Sequence, residues 1–179
     1  NHWVLGSAIG VTVDQNDHIW IIHRGASTLD KKEKLIDSNG GDCCTAAPPV
    51  LEFDQAGNFI QGWGGESGPG YQWPSNEHAI TVDEKGFVWV MGNADDNRNN
   101  PAHLPNDNQI LKFTKTGKFV MAIGKSGQKG SNATEVLRGG TGLRYYAPAN
   151  EIFASDGYGN SRVMVYDADS GKFKRMWGA

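Results

Sequence analysis

The chain has 179 residues, 24 of them glycine, a net charge of −3 and a pI near 5.9, which is length enough for one domain with its own core. The acidic balance argues against a phosphate-binding face and so against nucleic acid as a partner. No run of apolar residues is long enough to span a membrane. No stretch sustains the i, i+3, i+4, i+7 apolar spacing of a helix, so short strands and tight turns are expected, with little helix. The chain has no initiator Met and no signal peptide, and it opens abruptly at Asn1-His2-Trp3, as a processed or partial product would.

In chain order, the first unit reads Val13-Asp14, four residues, then Ile19-Trp20-Ile21: strand, tight turn, strand. Strand B runs on into Ile22-His23-Arg24-Gly25 and is followed by a long insertion, roughly 26–49. That insertion holds the solvated run Lys31-Lys32-Glu33-Lys34 and the adjacent pair Cys43-Cys44. The two cysteines stand as thiols, as a vicinal disulfide, or as a bridge to another segment; they make neither a disulfide scaffold nor a zinc site. The unit closes with Phe53-x3-Gly57-x-Phe59-x3-Trp63-Gly64, where Gly57 sits at the turn that needs positive φ.

The second unit repeats the frame as Val82-Asp83, four residues, Val88-Trp89-Val90. Its insertion, roughly 92–108, carries Asp95-Asp96-Asn97 and Asn99-Asn100, which lack EF-hand spacing and read as a solvated loop. It closes with Phe113-x3-Gly117-x-Phe119-x3-Ile123-Gly124. Asn132-Ala133-Thr134 is an N-glycosylation sequon, meaningful only in a eukaryotic secretory pathway. In the third unit Ala147 takes the Asp slot and Ile152-Phe153-Ala154 follows. It ends with Tyr166-x4-Gly171-x-Phe173-x3-Trp177-Gly178.

A four-stranded antiparallel unit repeated at this spacing is a propeller blade, so the fold class is all-β, a β-propeller. The blades are about 1–64, 73–124 and 138–178. Three blades are about half of a ring of about six, and alone they would expose apolar sheet faces. The remainder of a longer chain, or a second chain, is expected to complete it. From the Asp slot to the strand-C aromatic is 39, 30 and 19 residues in the three units, so the variation lies between strands B and C. B–C loops and D–A connections share one face, where function is sought.

Three side chains on that face stand out. His78 begins strand A of blade two, the innermost strand, near the central channel. It is either a channel histidine with an ordinary hydrogen bond or one ligand of a divalent metal supplied by several blades. Arg24 ends strand B of blade one, as a salt bridge to the next blade or as a site residue; His23 alternates with it and should pack between sheets. Asp156-Gly157-Tyr158-Gly159-Asn160-Ser161-Arg162 is the B–C turn of blade three. Asp156, Asn160 and Arg162 are expected to brace it, leaving Tyr158 at its tip as a surface aromatic or a site residue. None of His2, His18, His23, His78 and His103 forms a local metal motif, and no GxSxG elbow is present.

The frame resembles NHL-repeat propellers over essentially the whole chain. More narrowly, 43–54, Ser75-Asn76-Glu77-His78 and 156–162 resemble the bacterial propellers related to peptidyl-α-hydroxyglycine α-amidating lyases. That resemblance implies a zinc held by three histidines, a calcium in the channel, and an Arg and a Tyr beside the zinc. The enzyme splits a peptidyl-α-hydroxyglycine into a peptide amide and glyoxylate. Residue by residue, the catalytic Arg maps to Arg24, the first zinc ligand to His78 and the Tyr base to Tyr158. The backbone carbonyls of Val11 and Ile80 would face the calcium. Glu77 stands where the family has Pro, and Gly159 where the animal enzymes have Cys. The other two zinc histidines would come from blades not in this sequence, so these residues alone would be inactive. The resemblance also implies export to the periplasm or outside the cell. NHL propellers often serve as interaction platforms, so the first expectation is a binding or scaffold module with a protein or peptide ligand on the loop face. The alternative is the zinc-dependent lyase.

Overall fold

The computed structural model describes residues 3–29, 45–93, 107–128, 130–132 and 134–178. Lys31, Cys43, Cys44, the acidic segment 95–100, His2 and His103 lie outside the described residues.

The first sheet is formed by β2 (Ser7–Val13), β3 (Ile19–Arg24), β5 (Val50–Phe53) and β6 (Phe59–Trp63), in that spatial order. Before it, β1 (Trp3–Val4) pairs in parallel with β4 (Thr45–Ala46). The second sheet is β7 (Glu77–Val82), β8 (Val88–Gly92), β9 (Gln109–Phe113) and β10 (Phe119–Gly124). The third is β11 (Gly142–Tyr146), β12 (Glu151–Asp156), β13 (Arg162–Asp167) and β14 (Phe173–Gly178). All pairs within these three sheets are antiparallel. Strand β7 packs against both β2 and β11, so the first strand of each sheet is innermost, as in a propeller.

Alternation along β7, β8 and β9 divides the core into two layers. Ile80, Val82, Val88, Val90, Leu111 and Phe113 pack toward blade one, against Trp20, Ile22 and Val50. Ala79, Trp89, Met91 and Ile110 pack toward blade three, against Ile152, Ala154, Met164 and Tyr166. Trp20 and Trp89 are fully buried. Burying each indole removes roughly 150–250 Å² from water, a few kcal/mol at about 25 cal/mol per Å². The outer face of blade one keeps Val11 and Val13 exposed, and that of blade three keeps Tyr146 and Trp177 exposed. These are the faces an incomplete ring leaves open.

The Asp of the repeat ties turn to core. Asp14 accepts from the amides of Asn16 (2.8 Å) and His18 (3.1 Å) and from Trp20 Nε1 (3.2 Å). Asp83 does the same with Lys85 (3.0 Å), Phe87 (2.9 Å) and Trp89 Nε1 (3.0 Å). Where Ala147 takes the slot, a 3-10 turn (Ala147–Ala149) with left-handed Asn150 replaces the carboxylate cap. That turn and the four-residue helix α1 (Gly25–Thr28) are the helical segments among the described residues, and Pro at the start of the 3-10 turn favours it.

His23 is fully buried as expected: Nδ1 accepts from the Gly6 amide (3.2 Å) and Nε2 bonds to the Pro48 carbonyl (2.9 Å), both of its own blade.

Candidate active site

β3 ends at Arg24 and β7 begins at Glu77, so antiparallel alternation brings both to the same end of their blades. Arg24 Nε donates to the Glu77 carbonyl (2.6 Å), and its terminal nitrogen reaches Asn93 Oδ1 (3.4 Å). It therefore bonds a carbonyl and an amide of blade two, and part of the guanidinium remains for a ligand. Asn93 is itself fixed: Oδ1 accepts from Asn76 Nδ2 (2.6 Å), and its amide donates to the Asn76 carbonyl (3.0 Å). Asp107 holds the same corner through the amides of Ser75 and Asn76, each at 2.8 Å. This buried network spans the two ends of the blade-two insertion, which a reading of local repeats could not pair. The polar run Ser75-Asn76 before an apolar strand is the one signal that hints at it.

His78 is half-buried, and its Nε2 lies 3.1 Å from the Tyr158 hydroxyl across 80 positions of chain. The two rings stack, with centroids 5.4 Å apart and planes 28° apart. His78 Nδ1 is buried with no hydrogen-bond partner. Burial first, and the nearby Arg24 charge second, hold His78 below the usual imidazole range, so the ring is neutral near pH 7. Next to it, burial pushes the Glu77 carboxyl up, against the opposing hydrogen bond from Trp73 Nε1 (2.9 Å).

Tyr158 is 47% exposed at the tip of its turn. The turn is held by Asp156, which accepts from the Arg138 amide (2.8 Å), Asn160 Nδ2 (2.7 Å) and Arg162 Nε (3.0 Å). Arg162 also donates to the Val136 and Thr134 carbonyls, and the Tyr158 amide donates to the Gly139 carbonyl (3.1 Å). Asp156, Asn160 and Arg162 thus brace the turn as expected, and they aim Tyr158 at His78.

Val11 and Ile80 lie on the adjacent innermost strands β2 and β7, which approach closely: a Cβ on Gly10 would sit 3.4 Å from the Ile80 amide nitrogen. At the other end of strand A, Asp14, His18 and Glu52 converge. Their oxygens already serve protein donors, with Lys115 Nζ on Asp14 (2.6 Å), His18 Nδ1 on Glu52 (2.7 Å) and Gln61 Nε2 on Glu52 (2.5 Å). This group stabilises a turn and is remote from Arg24, His78 and Tyr158.

For zinc, His78 fits as one ligand: it is neutral and has a buried nitrogen without a partner. No second histidine joins it among the described residues, so they fill one position of a coordination sphere and not the whole.

Fold and site together define a partial β-propeller whose loop face gathers one residue from each of three blades. No family model matches the chain. It is 24% identical over 176 residues to a probable peptidyl-alpha-hydroxyglycine alpha-amidating lyase of Caenorhabditis elegans, covering 92% of this chain and 42% of that protein. It is 26% identical over 179 residues to the peptidyl-glycine alpha-amidating monooxygenase of Mus musculus, covering 97% of this chain and 16% of that protein. Among solved structures, virginiamycin B lyase from Staphylococcus aureus matches with a TM-score of 0.50 at 15% identity, over 98% of this chain and 42% of that one. U3-55K matches with a TM-score of 0.57 at 9% identity, over 98% and 40%. The chain is distantly homologous to the lyase domain of the amidating enzymes, and it spans less than half the length of the relatives it matches.

Proposed function

We propose that these three blades form part of the active centre of an amidating-lyase-type propeller that cleaves peptidyl-α-hydroxyglycines. The observation that carries this reading is the convergence of Arg24, His78 and Tyr158, with His78 Nε2 3.1 Å from the Tyr158 hydroxyl. A bare binding platform, the first expectation from the repeat, does not require an imidazole, a phenol and a partly free guanidinium to meet.

The reaction removes a proton from the substrate hydroxyl, breaks the C–N bond, and returns a proton to the amide nitrogen. His78 would be one of the zinc ligands, and the metal's contribution when bound is to polarise an oxygen and lower the pKa of a hydroxyl. With Nδ1 engaged by a ligand, Nε2 carries the proton and donates to the Tyr158 oxygen. That contact orients the Tyr158 oxygen for a role as general base. Arg24, held by Glu77 and Asn93, offers its remaining N–H groups to the substrate carboxylate or carbonyl. Val11 and Ile80 would present backbone oxygens to a calcium that ties blades one and two together. The remaining ligands, and export, belong to the whole protein.

The test is glyoxylate release from a peptidyl-α-hydroxyglycine by the intact, zinc-loaded protein. Tyr158→Phe should lower kcat by about 100-fold or more, and His78→Ala should lose stoichiometric zinc. An intact metal-loaded protein that releases no glyoxylate would overturn the lyase reading.

A further inference from the structure

We propose that Arg138 is a specificity residue that recognises a carboxylate of the peptide bound beside Tyr158. The proposal takes from the lyase reading that a peptide ends at the Arg24–His78–Tyr158 cluster, and it adds the class of peptide selected, an anionic one.

Arg138 lies just ahead of β11, where the chain runs alongside the turn that carries Tyr158. The Tyr158 amide donates to the Gly139 carbonyl (3.1 Å), and a Cβ on Gly139 would lie 3.0 Å from the Tyr158 Cβ. The Arg138 amide donates to Asp156 Oδ1 (2.8 Å). The backbone at Arg138 and Gly139 is therefore tied to the same turn that aims Tyr158. The side-chain stem is placed as well. A Cβ on Gly159 would collide with Arg138 Cγ and Cδ, the latter at 2.8 Å. The stem thus crosses directly over Gly159, the residue next to Tyr158, and it fits there because glycine has no side chain.

The stem is held, but the guanidinium is not. Arg138 is half-buried, and among the described residues its guanidinium makes no hydrogen bond and no ion pair. Asp156 does not take it: Oδ1 serves the Arg138 amide, and Oδ2 serves Asn160 Nδ2 (2.7 Å) and Arg162 Nε (3.0 Å). Arg162, in the same turn, is the opposite case, buried and closed off by that carboxylate and by two backbone carbonyls. A guanidinium that has lost part of its hydration without gaining an acceptor is poised for a carboxylate, whose two oxygens match its planar fork. Arg24, on the blade-one side of the cluster, bonds neutral groups, the Glu77 carbonyl and Asn93 Oδ1. Two guanidiniums therefore flank a neutral His78 with no carboxylate of the described residues paired to either, on a chain whose net charge is −3. That local excess of positive charge favours an anionic ligand.

The experiment is calorimetric titration of the intact, zinc-loaded protein with glycine-ended peptides, which lack the hydroxyl and so cannot be cleaved: acetyl-Ala-Glu-Gly, acetyl-Ala-Gln-Gly and the amide of the latter. Arg138→Met keeps a stem over Gly159 and the backbone bond to Asp156, and removes the charge and its donors. If a side-chain carboxylate is the partner, this variant binds the Glu peptide about tenfold more weakly and both Gln peptides unchanged. If the terminal carboxylate is the partner, both free acids weaken about tenfold and the amide is unchanged. Equal affinities of parent and variant for every peptide, as large a loss for the amide as for the acids, or no binding to the parent protein would overturn the proposal. Glyoxylate release from the matching hydroxyglycine peptides, followed in parallel, keeps the two readings apart. Turnover with no effect of Arg138 on binding refutes this proposal alone, and Arg138-dependent binding with no turnover refutes the lyase reading alone.

Discussion

Replacing Asp156 with Ala removes the acceptor at the centre of the blade-three turn. Asp156 is fully buried and Arg162 is 5% exposed. The carboxylate accepts three hydrogen bonds, from the Arg138 amide, Asn160 Nδ2 and Arg162 Nε. Its loss leaves a guanidinium buried with only neutral partners, the Thr134 and Val136 carbonyls and the Met176 sulfur, to hold it. Breaking a buried pair from one side costs about 3–5 kcal/mol, because the stranded charge keeps its desolvation penalty. Asp156→Asn keeps the shape and one acceptor oxygen, and should cost roughly half as much. Urea denaturation of the intact protein measures both. Hydrogen exchange adds a local readout: the amides of Arg138 and Tyr158, bonded to Asp156 and to Gly139, should lose protection first. Because the same turn aims Tyr158 at His78, the proposed lyase activity should fall with it. A stability for Asp156→Ala within about 0.5 kcal/mol of the parent protein would refute the reasoning, since the turn would then stand without its ion pair.

Acid should expose a second carboxylate. Asp14 is lowered from 3.8 to about 2: burial works to raise it and is outweighed by Lys115, the amides of Asn16 and His18, and Trp20. A depressed folded-state pKa means its contribution is complete above about pH 4 and is lost as the pH falls toward 2, on the order of 2 kcal/mol in all. Asp14→Asn should flatten the stability profile in that window, and superimposable slopes would count against the assignment. Two glycines with similar positive φ, one in a hairpin turn and one at a strand end, separate backbone strain from collision. Gly57, at φ +83° with nothing near its Cβ position, should cost about 1 kcal/mol as Ala. Gly124, at φ +79° with the Asn108 carbonyl 2.5 Å from that position, should cost clearly more, and equal thermal shifts for the two variants would contradict this. Under the proposed lyase reading, Arg24→Lys should keep the charge but lose the Glu77 and Asn93 geometry, raising KM for the peptidyl-α-hydroxyglycine more than it lowers kcat.

The blade repeat was legible because it is local. Asp14…Trp20 and Asp83…Trp89 are joined by bonds spanning six positions, and the hairpin glycines need only their own φ. Period-two alternation in β7 and β8 already assigns Ile80 and Val90 to one face and Ala79 and Met91 to the other, whatever packs there. Placing Arg24, His78 and Tyr158 at strand ends put them on one face by the same reasoning. The sequence could not give the 3.1 Å separation between His78 and Tyr158, nor the support of Arg24 by Asn76, Asn93 and Asp107. Nor could it give the partners of His23, since Gly6 and Pro48 lie 17 and 25 positions away and carry no repeat signal. Backbone hydrogen bonding and side-chain alternation act over a few residues and are written in the chain. Convergence of side chains from different blades depends on the twist and stacking of whole sheets, which only the folded structure decides.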